Sequence, residues 1–120
     1  MKIYLAALYS RMDDMRECAA KLRAKGHEIT AQWITGIGAT KETAAEAAIM
    51  DLDDVKRADA IIFFAQSKGS FNKGGGRHFE FGYAYALGKR CFVVGELEQV
   101  FCNLPDVKVF DTFQNALEYV

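Results

Sequence analysis

Asp51-Leu52-Asp53-Asp54-Val55-Lys56-Arg57-Ala58-Asp59-Ala60-Ile61-Ile62-Phe63-Phe64-Ala65 decides the fold, because its hydrophobic period changes partway along. Ala44, Ala48, Asp51, Val55 and Ala58 share one helical phase, and 60–65 is a short, unbroken apolar run of strand length. Asp59 stands in the turn between them. A helix that feeds directly into a buried strand is the repeating unit of a parallel α/β sheet.

The same alternation extends both ways. Residues 2–8 form a nearly continuous apolar strand, of the kind buried on both faces. Ser10 opens a helix in the pattern Ser10-x-x-Asp13, with Met15, Cys18, Ala19 and Leu22 as its stripe and Gly26 as its stop. A second strand is expected over 27–34, then a glycine loop over 35–40 in which Thr40 caps the helix that runs to about Arg57. After the strand at 60–65, a polar loop over 66–76 leads to a helix that Gly88 ends. Residues 90–94 and 107–110 read as strands, 96–103 as a short helix or irregular turn, and 112–119 as a closing helix. Crossovers of this length imply parallel strands, so the expectation is a three-layer α/β/α sandwich on a five-stranded parallel sheet, flavodoxin- or Rossmann-like. In such sheets the ligand lies beyond the carboxyl ends of the strands, at the switch in strand order.

With 120 residues, 51% of them hydrophobic and 26% charged, the chain fits one globular domain over 1–120. Fifteen basic against sixteen acidic residues give a net charge of −1, which disfavours a nucleic-acid polymer as partner. No apolar run approaches the roughly 20 residues of a membrane helix, and residues 1–5 enter a strand pattern with no signal-peptide core. Cys18, Cys91 and Cys102 lack paired spacing, and they and the two histidines, His27 and His78, form no metal-ligand pattern. The expectation is a cytoplasmic protein with reduced thiols, no metal and no cofactor.

Two acids interrupt apolar helical faces. Glu80 shares a phase with Tyr83, Ala84 and Leu87, behind the glycines Gly74, Gly75 and Gly76. Read as a first-turn residue, it is held ionised by the helix dipole, which suits a nucleophile; acids are also common in first turns for that reason alone. Asp51 breaks the small-residue stripe of its helix, with Asp53 facing away and Asp54 at the stripe's edge. Burying such a carboxylate costs several kcal/mol, roughly, unless it is bonded or borders a wet cleft. Two inward carboxylates suit chemistry in which one attacks or stabilises a cation while the other manages protons. The three glycines bring backbone N–H groups to a helix start, which suits phosphate but also any flexible loop. Arg77 and His78 are phosphate donors there or a solvated surface pair, and Trp33 and Tyr9 stack on a planar ligand or pack. Tyr4 lies inside the first strand, where its hydroxyl needs a partner. A dinucleotide site is excluded by Ala6-Ala7-Leu8-Tyr9-Ser10-Arg11 after the first strand, and a phospho-receiver by Ala65-Gln66-Ser67 after the third. Residue chemistry alone leaves a non-catalytic nucleotide-binding sensor as the alternative to an enzyme.

The segments Lys2-Ile3-Tyr4-Leu5-Ala6, Asp51 to Asp59, and Glu80-Phe81-Gly82-Tyr83-Ala84-Tyr85-Ala86-Leu87-Gly88-Lys89 together resemble the nucleoside 2-deoxyribosyltransferase superfamily, which includes 2′-deoxynucleoside 5′-monophosphate N-glycosidases. The resemblance implies an enzyme that cleaves the N-glycosidic bond of a 2′-deoxynucleoside or its 5′-monophosphate, by hydrolysis or by transfer to another base. It implies Glu80 as nucleophile, Asp51 in sugar positioning and proton transfer, and Tyr4 as a contact to sugar or glutamate. The wall of the sugar or phosphate site is expected from Ser10, Arg11, Gly74, Gly75, Gly76, Arg77 and His78, with Trp33 beside it. Asn103 matches a residue that a neighbouring subunit contributes, so a homodimer or higher homo-oligomer is expected. The monophosphate hydrolases place a serine where Gly74 stands, with Ser67, Ser70, Asn72 and Lys73 as substitutes here; transferases often carry aspartates where Gln66 and Gly74 stand.

Overall fold

The computed structural model of the chain describes residues 1–67, 69 and 74–120, so Ser70, Asn72 and Lys73 lie outside the described residues. Five strands, β1 (Lys2–Ala6), β2 (Glu28–Ile29), β3 (Ala60–Phe64), β4 (Arg90–Val94) and β5 (Val107–Phe110), form one parallel sheet in the order β2-β1-β3-β4-β5. Four helices, α1 (Met12–Ala24), α2 (Ala44–Arg57), α3 (Gly75–Ala86) and α4 (Phe113–Tyr119), cover it. The path from β1 to β2 steps one way along the sheet and the path from β2 to β3 steps back past β1. With right-handed crossovers, α1 and α2 therefore fall on opposite faces; α1 packs with α4, and α2 with α3. This is the three-layer sandwich expected.

The core follows the apolar runs. Every residue of β3 is buried, as are Ile3, Tyr4, Leu5 and Ala6 of β1 and Cys91, Phe92, Val93 and Val94 of β4. Each fully buried large apolar side chain contributes about 1.5–3 kcal/mol, so the three central strands anchor the molecule and leave their carboxyl ends as a rigid rim.

Several local expectations are corrected. The second strand was expected over 27–34, but only Glu28–Ile29 pairs with β1; the chain then turns into a 3₁₀ helix, Gln32–Thr35. The turn wins because its polar groups find partners other than a strand ladder: Gln32 N–H donates to Asp54 Oδ2 (3.0 Å) and the Trp33 indole N–H to Leu5 O (2.8 Å). The first strand stops at Ala6 rather than 8, and Ser10 does not cap α1; a 3₁₀ turn, Tyr9–Arg11, leads into it with no side-chain cap. Thr43, not Thr40, caps α2, its hydroxyl oxygen accepting Glu46 N–H at 3.2 Å, and Thr40 belongs to a 3₁₀ turn, Ile37–Thr40. On α3 the buried face is Arg77, Phe81 and Ala84, with Leu87 exposed. On α2 it is Asp54 and Val55, whereas Ala44 and Ala48 are exposed.

Candidate functional site

Strand order reverses between β1 and β3, and a cleft of about 460 Å³ opens at their carboxyl ends. The segment after β1 supplies Ala7, Leu8 and Tyr9, the turn after β2 supplies Trp33, α2 supplies Asp51, and the start of α3 supplies Gly74, Gly76, Arg77 and Glu80. Two chain segments leaving the sheet toward opposite faces create this opening, and the acids of α2 and α3 meet in it.

Glu80 is the sixth residue of α3, past the unpaired N–H groups of the helix start. This corrects the first-turn placement and the ionised state argued from it. Burial instead pushes the Glu80 carboxyl up to about 7; the hydrogen bond from Tyr4 opposes the rise, and the charges of Asp51 and Asp54 add to it. Tyr4, buried in β1, donates its hydroxyl to Glu80 Oε2 at 2.5 Å. Burial and the facing glutamate drive the phenol's pKa far upward, so Tyr4 remains a donor. Asp51 is pushed up to about 6 by burial and then by the charge of Asp54. Asp51 lines the cleft, and its Oδ1 is buried without a hydrogen-bond partner among the described residues.

Around these three the expected wall is partly assembled. Trp33 lines the cleft, its ring tilted against Tyr9 with centroids 6.2 Å apart. Gly74 opens α3 in the left-handed region (φ +70°), where a Cβ would meet Leu8 Cδ2 at 2.0 Å; glycine is what lets the loop close against the β1 exit. Arg77 is not solvated: both Nη atoms donate to Glu98, Nη2 at 2.7 Å from Oε1, in a pair whose side chains are fully buried. Glu98 also accepts Gln66 N–H at 2.8 Å. The loop after β3, the start of α3 and the loop after β4 are thereby tied together. Gly75 and His78 face a neighbouring groove, with His78 Nε2 3.8 Å from Glu98. Arg11 turns away, donating toward Ala65 O (3.5 Å) and Gln66 Oε1 (3.4 Å) at a separate groove. Ser10 is exposed on its turn outside the cleft wall, and Asn103, in the exposed 3₁₀ turn Val100–Asn103, donates its side-chain N–H to Val100 O.

Sequence reading missed Asp54 and Glu98. Asp54 is fully buried, its oxygens taking Gln32 N–H, Gln32 Nε2–H (2.9 Å) and Arg57. Its one signal was its position beside the stripe of α2; nothing in residue spacing links Arg77 to Glu98. Among the described residues no cluster of metal-ligating side chains occurs, and no helix is long and apolar enough to cross a membrane.

Chemically, the cleft combines a carboxyl poised near neutrality, a fixed donor upon it, and a second carboxyl with an unsatisfied oxygen, beneath an aromatic wall. Two solved structures share the architecture. A 2-deoxyribosyltransferase from the psychrotolerant bacterium Bacillus psychrosaccharolyticus superposes with a TM-score of 0.77 at 19% identity, covering 100% of this chain and 93% of that one. The CMP N-glycosidase BcmB of Clostridium botulinum superposes with a TM-score of 0.68, also at 19% identity, covering 99% of this chain and 97% of the other. No curated protein matches the sequence at a significant level. Residues 3–117, nearly the whole chain, match the family described as nucleoside 2-deoxyribosyltransferase, and with that match the protein belongs to this family of enzymes.

Proposed function

We propose that the protein cleaves the N-glycosidic bond of a 2′-deoxynucleoside or its 5′-monophosphate, with Glu80 as the nucleophile. The observation that carries this reading is the Tyr4 hydroxyl seated on Glu80 Oε2 at 2.5 Å in the cleft that Asp51 also lines. In the first step the ionised Glu80 oxygen forms a bond to C1′ as the C1′–N bond breaks. Its electron pair leaves with the base, which takes the proton from the Asp51 carboxyl. Water or a second base then attacks C1′, freeing Glu80 and returning a proton to Asp51. Tyr4 keeps one lone pair of Glu80 occupied, so the other oxygen is the one that reaches the sugar.

The reactive form has Glu80 ionised and Asp51 protonated, so the pair holds one proton. With Glu80 raised to about 7 and Asp51 to about 6, the singly protonated state peaks between the two values, and the fraction of it that carries its proton on Asp51 is the form that reacts. Trp33 and Tyr9 offer a face for the base.

Chromatography of products from matched deoxynucleosides and 5′-monophosphates, with and without a second free base, tests the reading. Base release without an acceptor marks hydrolysis, base exchange marks transfer, and a dependence on the 5′-phosphate separates nucleotide from nucleoside substrates. Tight nucleotide binding with no base released on long incubation is the result expected of a sensor and would overturn the proposal.

A further inference from the structure

Asp54 is fully buried, yet it lies behind the cleft wall rather than in it. Its acceptor positions are filled. Oδ2 takes the Gln32 backbone N–H, Oδ1 takes the Gln32 amide and Arg57, and the Asp54 carbonyl takes the Thr30 hydroxyl at 2.8 Å. All but the Arg57 contact reach the segment that leaves β2 early and turns at Gln32–Thr35. That turn presents Trp33 to the cleft, with its indole N–H fastened to Leu5 O of β1. From the opposite side, Arg16 of α1 donates to Ile34 O at 2.6 Å. The aromatic wall is therefore held on α2 by one carboxylate, a helical turn from Asp51.

Resting on the glycosidase reading above, we infer that Asp54 is a positioning residue of the site: it clamps the Gln32–Thr35 turn to α2 and so holds Trp33 in register with Asp51 and Glu80 for the base of the substrate. It touches no reacting atom. The charged and titratable groups around this corner are Asp51 and Arg57 on α2, with exposed Asp53 on the outer side of Arg57, Arg16 on α1, Tyr4 on β1, and Glu80 with the Glu98-paired Arg77 on α3. Within that set the charge of Asp54 lifts both Asp51 and Glu80, so neutralising it lowers both and moves the pH optimum to the acid side.

The test uses Asp54→Asn, Gln32→Leu and, as control, Asp53→Asn, an exposed neighbour that meets Arg57 at 3.3 Å. Trp33 is the sole tryptophan, so its emission reports the wall without any turnover. With 2′-deoxyadenosine and 2′-deoxycytidine as probes, Asp54→Asn is expected to red-shift Trp33 emission and raise KM about tenfold, the scale of one buried polar contact, with kcat changed far less. It is also expected to move the pH optimum to the acid side. Gln32→Leu removes the amide clasp and keeps the charge: emission and KM move, and the optimum stays. This second variant also reads the clamp if Asp54→Asn fails to fold. Unchanged emission and KM in both variants overturn the inference, as does an equal response from Asp53→Asn. If the wild-type protein releases no base but the emission shift in Asp54→Asn is seen, the glycosidase reading fails and the clamp stands.

Discussion

At the scale of single residues, the protonation of Glu80 bears on stability and, in the proposed mechanism, on the chemistry. As a carboxyl raised from its ordinary value to about 7, it favours the folded state at low pH, and that contribution is lost as pH rises through about 7. Glu80→Gln removes the buried charge, so it should raise stability at pH 8 by roughly 1–3 kcal/mol and change it little at pH 4, as followed by denaturant unfolding. The same variant should lose at least about a thousandfold in base release. For the wild type, kcat/KM should trace a bell whose limbs fall near 6 and 7, with its maximum between them. Tyr4→Phe removes the hydrogen bond that opposes the rise of Glu80 and should carry the limb set by Glu80 to higher pH. Glu80 and Asp51 stood out in the sequence as acids among small and apolar residues of one helical phase, although the buried faces proved to be Arg77, Phe81 and Ala84 on α3 and Asp54 and Val55 on α2. The protonation of the two acids was not legible, because the ionised state argued for Glu80 assumed a first-turn position that the structure moves to the sixth residue of α3.

At the scale of elements, the site depends on how three loops meet above β3 and β4. Arg77 and Glu98 form a fully buried pair, and removing Glu98 takes the facing carboxylate from a buried guanidinium. Glu98→Ala should cost about 3–5 kcal/mol of unfolding free energy, and the double change Arg77→Met with Glu98→Leu clearly less, because an apolar pair leaves no orphan charge. Thermal unfolding of the two variants orders them. The helices and central strands were legible because their periodicity is local: Ala60–Phe64 and Arg90–Val94 emerge close to where the apolar runs place them. The truncated β2 was not legible, since Ile29, Thr30, Trp33 and Ile34 suit a strand by propensity. What converts this segment to a turn is a carboxylate twenty-two residues later, at Asp54.

At the scale of the whole molecule, the β2-β1-β3-β4-β5 order puts the switch between β1 and β3 and dictates where a cleft can open. The parallel sandwich followed from alternating segments; the strand order and the reach of Arg77 to Glu98 are tertiary facts that no local pattern encodes. On the face beyond α3, Phe79 and Phe101 are exposed (66% and 61%) beside a groove they both line, with Val100 next to them. We propose that a second copy of the chain covers this face; sedimentation is then expected to find the wild-type protein larger than a monomer and Phe101→Asp smaller than the wild type.

The most direct measurement is peptide mapping by mass spectrometry after reaction with a slowly turned-over 2′-fluoro-substituted deoxynucleoside, which lets the sugar–enzyme ester accumulate. A glycosyl adduct on Glu80, absent from Glu80→Gln, is the predicted result. An adduct on another residue, or base release by Glu80→Gln at the wild-type rate, would contradict Glu80 as the nucleophile.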